Sequence, residues 1–172
     1  MITIFTEKIN SFSQKDYQKD YCKMIDELPF HKLSCACKQK GTLIRHGNYN
    51  RSIEASGNLI ELSIIRVYCK SCKETHAILP SWIVPYSRIL YRDHISIIYS
   101  YLNNLSFEPI MQSNLLIDEG NIRYIIRQYL SHWRERIASF CGAVDLSVTK
   151  FCFKHFSRQF MQIKSTANIL FS

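Results

Sequence analysis

The chain has 172 residues, 47% of them hydrophobic, which suits one domain or two small ones around a packed core and excludes global disorder. Its formal net charge of +8 favours an anionic partner, nucleic acid ahead of an anionic membrane surface. No apolar run reaches the ~18–20 residues of a membrane span, and Glu7 and Lys8 interrupt the short apolar start a signal peptide would need, so a cytoplasmic chain without a membrane partner is expected.

Residues 1–34 read as a lead-in. Ile2, Ile4 and Phe5 suit a short strand. Ser13-Gln14-Lys15-Asp16 is expected to cap a short helix carrying Tyr17, Tyr21, Met24 and Ile25 at steps of three or four, and Pro29 ends it.

Residues 35–79 hold the clearest chemistry. Cys35-Ala36-Cys37 and Cys69-Lys70-Ser71-Cys72 are two close-set pairs with strand and turn signals between them. In a reducing compartment such pairs indicate a metal rather than a disulfide. Zinc takes four soft or borderline ligands in a tetrahedron, with thiolates at about 2.3 Å. A hairpin that brings the pairs together supplies all four, so a zinc ribbon with a structural Zn2+ on Cys35, Cys37, Cys69 and Cys72 is expected. The first pair has a one-residue gap and needs a sharp turn, which leaves His31, His46 and His76 as substitute ligands. Four free thiols, packed as small hydrophobes, are the alternative. Cys22, Cys141 and Cys152 are expected to be buried.

Within the ribbon, Thr42 to Arg45 reads as a strand, His46-Gly47-Asn48 as a turn or bulge, and Tyr49 to Ala55 as a second strand. Ser56-Gly57-Asn58 has the residues of a hairpin turn. Leu59 to Tyr68 is the strongest strand, with Ile60, Leu62 and Ile64 alternating with Glu61 and Ser63 and with Arg66 pointing off it. Thr75 to Ile78 returns as a strand.

Residues 80–89 form a linker broken by Pro80 and Pro85, with Trp82 and Tyr86 expected to pack it onto a neighbour. In 90–140 the period becomes helical. Arg92 to Asn103 places Ile95, Ile98, Tyr99 and Leu102 on one face. Ser106 is expected to cap a short helix carrying Ile110 and Met111. After a turn at 115–117, Asp118 caps the longest helix, over 119–139, with the stripe Ile122, Ile125, Ile126, Tyr129, Leu130, Trp133 and Ile137. Its other side carries Arg123, Arg127 and Arg134. Three helices with a tight second turn fit a helix-turn-helix. In 141–172, Ser147 is expected to cap a last helix carrying Phe151, Cys152, His155, Phe156 and Phe160. An extended tail follows, whose Ile169-Leu170-Phe171 needs a partner surface.

The succession Cys35-x-Cys37, Ile44-Arg45-His46-Gly47, Arg66-Val67-x-Cys69-x-x-Cys72, Thr75-His76-Ala77 and Leu79-Pro80-x-x-x-Val84-Pro85-Tyr86 resembles bacterial transposase-related zinc-ribbon proteins, a family described mainly as a domain of unknown function. Their ribbon is similar to the N-terminal zinc-binding piece of ISL3-type transposases, usually followed by a helix-turn-helix. The resemblance implies a zinc-binding, DNA-binding protein of mobile-element origin.

A transposase nuclease core needs three carboxylates gathered on a sheet to hold two metal ions. Asp93, Glu108, Asp118, Glu119, Glu135 and Asp145 fall instead at helix starts or on helix surfaces, so no catalytic activity is expected. Arginine suits phosphates and guanine edges alike. Arg123, Arg127 and Arg134 are therefore the first candidates for nucleic-acid contact, with Arg45, Arg66, Lys70 and Lys73 of the ribbon beside them. A solvated helix face is the plain alternative. The expected fold is α+β, an N-terminal zinc ribbon built on a β-hairpin or three strands followed by an all-α helix-turn-helix-like domain. The expected partner is DNA, which would make the protein nucleoid-associated, with RNA, a transposase or another protein as alternatives.

Overall fold

Ile2, Thr3 and Ile4 are all buried and form the strand β1 (Ile2–Ile4). The computed structural model describes residues 1–6, 17–55, 57–163 and 167–169. The expected helix cap at 13–16 lies outside them. Four further strands, β2 (Leu43–Ala55), β3 (Asn58–Cys69), β4 (Thr75–Pro80) and β5 (Ala167–Ile169), join β1 in a five-stranded sheet of order β2-β3-β4-β1-β5. The architecture is α+β.

The sheet is mixed. A two-residue link joins β2 to β3, which only an antiparallel pair permits, and Gly57 meets the turn with φ 75°. Strands β3 and β4 are antiparallel, with Arg66 opposite Ala77 and Val67 opposite His76. β1 then runs parallel to both neighbours, with Ile2 opposite Ile78 on one side and Ala167 on the other. β1 is buried on both faces, with Thr3 as fully enclosed as Ile2 and Ile4 on the opposite face. Of the C-terminal tail, the backbone of Ala167–Ile169 pairs with β1, and Leu170 and Phe171 lie outside the described residues.

The chain divides into two compact units. The first gathers Met1–Ser52 and Glu61–Ser81 with the C-terminal strand, and the second gathers Ile53–Ile60 and Trp82–Ser165. In the first, helix α1 (Tyr17–Asp26) buries Tyr17, Tyr21 and Ile25. The Tyr21 hydroxyl donates to the Ile78 carbonyl (3.0 Å) and accepts from the Ile65 N–H (2.9 Å). At that point β3 changes phase: Leu62 and Ile64 are buried, then Val67 and Cys69. The alternation in the sequence therefore holds only for the first half of the strand. β2 runs unbroken through 46–48, so there is no turn there; Gly47 takes φ 99° inside the strand.

The second unit holds α2 (Tyr91–Leu102), α3 (Glu108–Ser113), α4 (Glu119–His132) and α5 (Leu146–Phe156). Trp133, fully buried, packs edge to face on Phe156 and Phe160 at centroid distances of 6.2 and 5.5 Å. The buried stripe of α4, Ile122, Ile125 and Tyr129 continuing into Trp133 and Ile137, is the expected one. The helix itself is shorter. It ends at His132, where the N–H groups of Trp133 and Arg134 both reach the Tyr129 carbonyl.

Several side-chain expectations change in this unit. The inward face of α2 is Tyr91, His94, Ile97, Ile98 and Ser100, whereas Tyr99 and Leu102 are exposed. Tyr91 bonds Thr149 and His94 bonds Ser87, so polar groups with partners occupy positions the hydrophobic pattern assigned to neighbours. Asp145, not Ser147, caps α5, accepting from the Ser147 N–H at 2.7 Å. In the segment before α2, Trp82 is buried but Tyr86 stays exposed, with φ 67°.

Candidate metal centre

Each cysteine pair sits in a tight turn that ends on a left-handed lysine. In the first, the Lys38 N–H bonds the Cys35 carbonyl (2.8 Å), the Cys35 N–H bonds the Gln39 carbonyl (3.1 Å), and Lys38 has φ 67°. In the second, the Lys73 N–H bonds the Cys69 carbonyl (2.9 Å), the Cys69 N–H bonds the Glu74 carbonyl (2.9 Å), and Lys73 has φ 63°. The different gaps are thus accommodated by turns of different length. Lys38 reaches back three residues and Lys73 four, and both turns leave their two sulfurs on the same side.

The four ligand atoms of Cys35, Cys37, Cys69 and Cys72 all lie within 4.8 Å of one another. Cys35 Sγ is 3.5 Å from Cys72 Sγ, and Cys37 Sγ is 3.8 Å from Cys69 Sγ. A tetrahedron with bonds of about 2.3 Å has edges of about 3.8 Å, so the sulfurs stand at metal-bridging separations. The cluster can hold a metal ion, and four thiolates close its shell as in a structural rather than a hydrolytic site.

Two side chains touch the sulfurs from outside. Thr42 Oγ1 lies 3.2 Å from Cys69 Sγ, and His76 Nε2 lies 3.1 Å from Cys35 Sγ. The Thr42 hydrogen bond, the largest influence, helps hold the Cys69 thiol down at about 6, while burial pushes the Cys35 thiol up to about 12. Burial also lowers the pKa of His76. His31 and His46 are exposed and outside the cluster; His46 stacks at a tilt on Tyr68, 5.6 Å between centroids. Neither Thr42 nor the outer position of His76 carries a recognisable ligand spacing. Only the folded turns bring them to the sulfurs.

The remaining cysteines divide. Cys152 is buried as expected, whereas Cys22 and Cys141 are exposed, since the first lies on the outer side of α1 and the second in the turn after α4.

The candidate basic residues fall in both units. Arg45 on β2, Arg66 on β3, and Lys70 and Lys73 around the second cysteine turn are all exposed; Arg45 lies over the Phe30 ring at 5.0 Å. Arg123 and Arg127 lie one turn apart on the exposed side of α4. Arg123 pairs with Glu119 at 3.2 Å, and Arg127 lies over Tyr124 at 5.7 Å. Arg134 is exposed but follows the last helical residue, so it does not extend that row.

A model of a domain of unknown function, DUF6431, matches residues 34–114, from the first cysteine turn to the residue after α3. The match takes in all four clustered cysteines with Thr42 and His76, and ends before α4. No curated protein and no solved structure matches the chain. Among the described residues, no helix is long and apolar enough to cross a membrane.

Proposed function

We propose that the protein is a zinc-dependent DNA-binding protein related to transposases, an accessory or regulator without a nuclease core of its own. Cys35, Cys37, Cys69 and Cys72 hold the zinc, which supplies folding energy rather than chemistry. Soft thiolate donors at tetrahedral separations favour zinc among the common divalent ions. Helices α2, α3 and α4 act as a helix-turn-helix. The observation that carries this reading is the exposed row of Arg123, Tyr124 and Arg127 on α4, directly above a buried apolar stripe and following a turn capped by Asp118 Oδ1 on the Asn121 N–H at 2.7 Å. Residues near the start of a recognition helix reach base edges in the major groove, and its arginines reach phosphates. The likeness of the ribbon residues to ISL3-type transposases supports a mobile-element origin.

Salt-dependent binding tests it. Each arginine that neutralises a phosphate adds about −0.9 to the log–log slope of affinity against salt. The triple variant Arg123→Ala, Arg127→Ala, Arg134→Ala should bind duplex DNA more weakly, with a slope shallower by up to about 2.7. Binding equal to the parent by a folded, metal-loaded triple variant refutes the reading.

Single-stranded RNA is the second reading. It is favoured by the His46–Tyr68 ring pair, with Arg66 on the same side of β3 as Tyr68 by strand parity. Competition between duplex DNA and single-stranded RNA separates the two. A protein-docking role has its own observation: an open apolar groove of about 640 Å3 in the second unit, lined by Ile95, Tyr99, Leu105, Pro109, Ile110 and Val144 among others. Binding insensitive to salt and nuclease would favour it.

A further inference from the structure

The two contacts outside the sulfur cluster are related by a cross-over. Thr42 follows the first cysteine turn and touches Cys69 of the second. His76 follows the second turn and touches Cys35 of the first. Each half of the site therefore sends one polar group to a sulfur of the other half. The backbone repeats the link on one side, where the Lys70 N–H donates to the Thr42 carbonyl at 2.9 Å. His76 is held in place by the sheet, opposite Val67 in the β3–β4 register, and only 8% of it is exposed.

A thiolate sulfur can only accept. A threonine hydroxyl at 3.2 Å and a neutral imidazole with its proton on Nε2 at 3.1 Å can both donate. Four thiolates around one divalent ion leave an excess of two negative charges, and each donated hydrogen bond withdraws part of that charge from its sulfur. We propose that Thr42 and His76 are paired positioning residues of the metal site, donating across the two cysteine turns to Cys69 and Cys35 without binding the ion themselves. The inference rests on the metal reading above and names residues beyond its four ligands. Such outer partners are worth roughly 10–100-fold in metal affinity where they have been removed from other sites.

The test uses the full chain loaded with Zn2+ or Co2+, in the parent and in Thr42→Val, Thr42→Ser, His76→Phe and His76→Gln. Metal affinity is read by competition with a chromophoric chelator. In the Co2+ form, the energy of the sulfur-to-metal charge-transfer band reports electron density on the thiolates. Thr42→Val and His76→Phe should each bind Zn2+ roughly 10–100-fold more weakly and shift that band to lower energy. Thr42→Ser and His76→Gln, which keep a donor near the same point, should stay close to the parent in both readouts. A packing role alone would move affinity without moving the band. Parent-like affinity and band in the Val and Phe variants overturn the proposal while leaving the metal site standing, as does a nitrogen ligand in the X-ray absorption spectrum of the zinc-loaded parent. A parent chain that takes up no metal overturns the metal reading and this proposal together.

Discussion

His94 gives the second unit a built-in acid sensitivity. It lies in the first turn of α2, 4% exposed, with Nε2 3.0 Å from Ser87 Oγ and Nδ1 without a hydrogen-bond partner among the described residues. Burial holds its pKa down at about 3, against an ordinary value of 6.5. The unfolded chain therefore binds a proton between those values and the folded chain does not. Stability from this group is fully present above the unfolded value and falls as pH drops below it, by about 1.4 kcal/mol per pH unit. From pH 7 to pH 5 the loss is about 2 kcal/mol. Asp93 works in the opposite direction, because burial raises its pKa. His94→Gln removes the histidine contribution and keeps that of Asp93. Urea unfolding followed by tryptophan fluorescence suits the measurement, since both tryptophans, Trp82 and Trp133, lie in the same unit as His94. Acid release of metal is common to parent and variant and cancels in their difference. The parent should lose about 2 kcal/mol more than His94→Gln between pH 7 and pH 5. Equal pH dependence in the two chains would refute the reasoning.

Thiol labelling should sort the cysteines. In the metal-loaded chain a maleimide should modify Cys22 and Cys141, the exposed pair, and leave the other five. A chelator should add Cys35, Cys37, Cys69 and Cys72, whereas Cys152, whose thiol burial pushes up to about 12, should react only on unfolding. Mass spectrometry that finds the clustered cysteines labelled with metal in excess would sink the ligand assignment. Trp133→Ala should destabilise the second unit by about 3–5 kcal/mol, read by chemical denaturation, because it empties the space against Phe156 and Phe160; a loss below about 1 kcal/mol would mean that the core tolerates the void.

The cluster could be read from the sequence because ligand chemistry leaves a local mark. Two cysteine pairs and a hairpin between them suffice to bring four sulfurs together, whatever else the chain does. The hairpin was equally legible, since Gly57 beside Asn58 supplies the backbone freedom the turn needs. β1 and β5 were less so. Each has only three residues, and what makes them strands is a parallel register with a segment far away in the chain. No local pattern encodes that pairing. Thr42 and His76 were illegible as sulfur partners for the same reason, being close to Cys69 and Cys35 in space only.

Helix α2 marks where apolar periodicity stops being a guide. Counting hydrophobic residues selects Ile95, Ile98, Tyr99 and Leu102, yet the helix turns Tyr91, His94 and Ser100 inward beside Ile97 and Ile98. A buried polar group costs little once it is hydrogen-bonded and much when it is not. Tyr91 finds Thr149, and His94 finds Ser87, whose hydroxyl in turn accepts from the Ile89 N–H at 3.1 Å. Those partners come from α5 and from the segment before the helix, so the inward face is chosen by neighbours as much as by the helix's own residues. The rotation leaves Tyr99 and Leu102 outward, and Tyr99 lines the apolar groove beside Leu105 and Pro109. In α4 the opposite holds. Its inward residues are large and mostly apolar, Ile122 and Ile125 with Tyr129, and the stripe in the sequence is the buried face. The outward position of Arg123 and Arg127 follows from that stripe, which is why the arginine row is the firmer of the two helical surfaces on which to test binding.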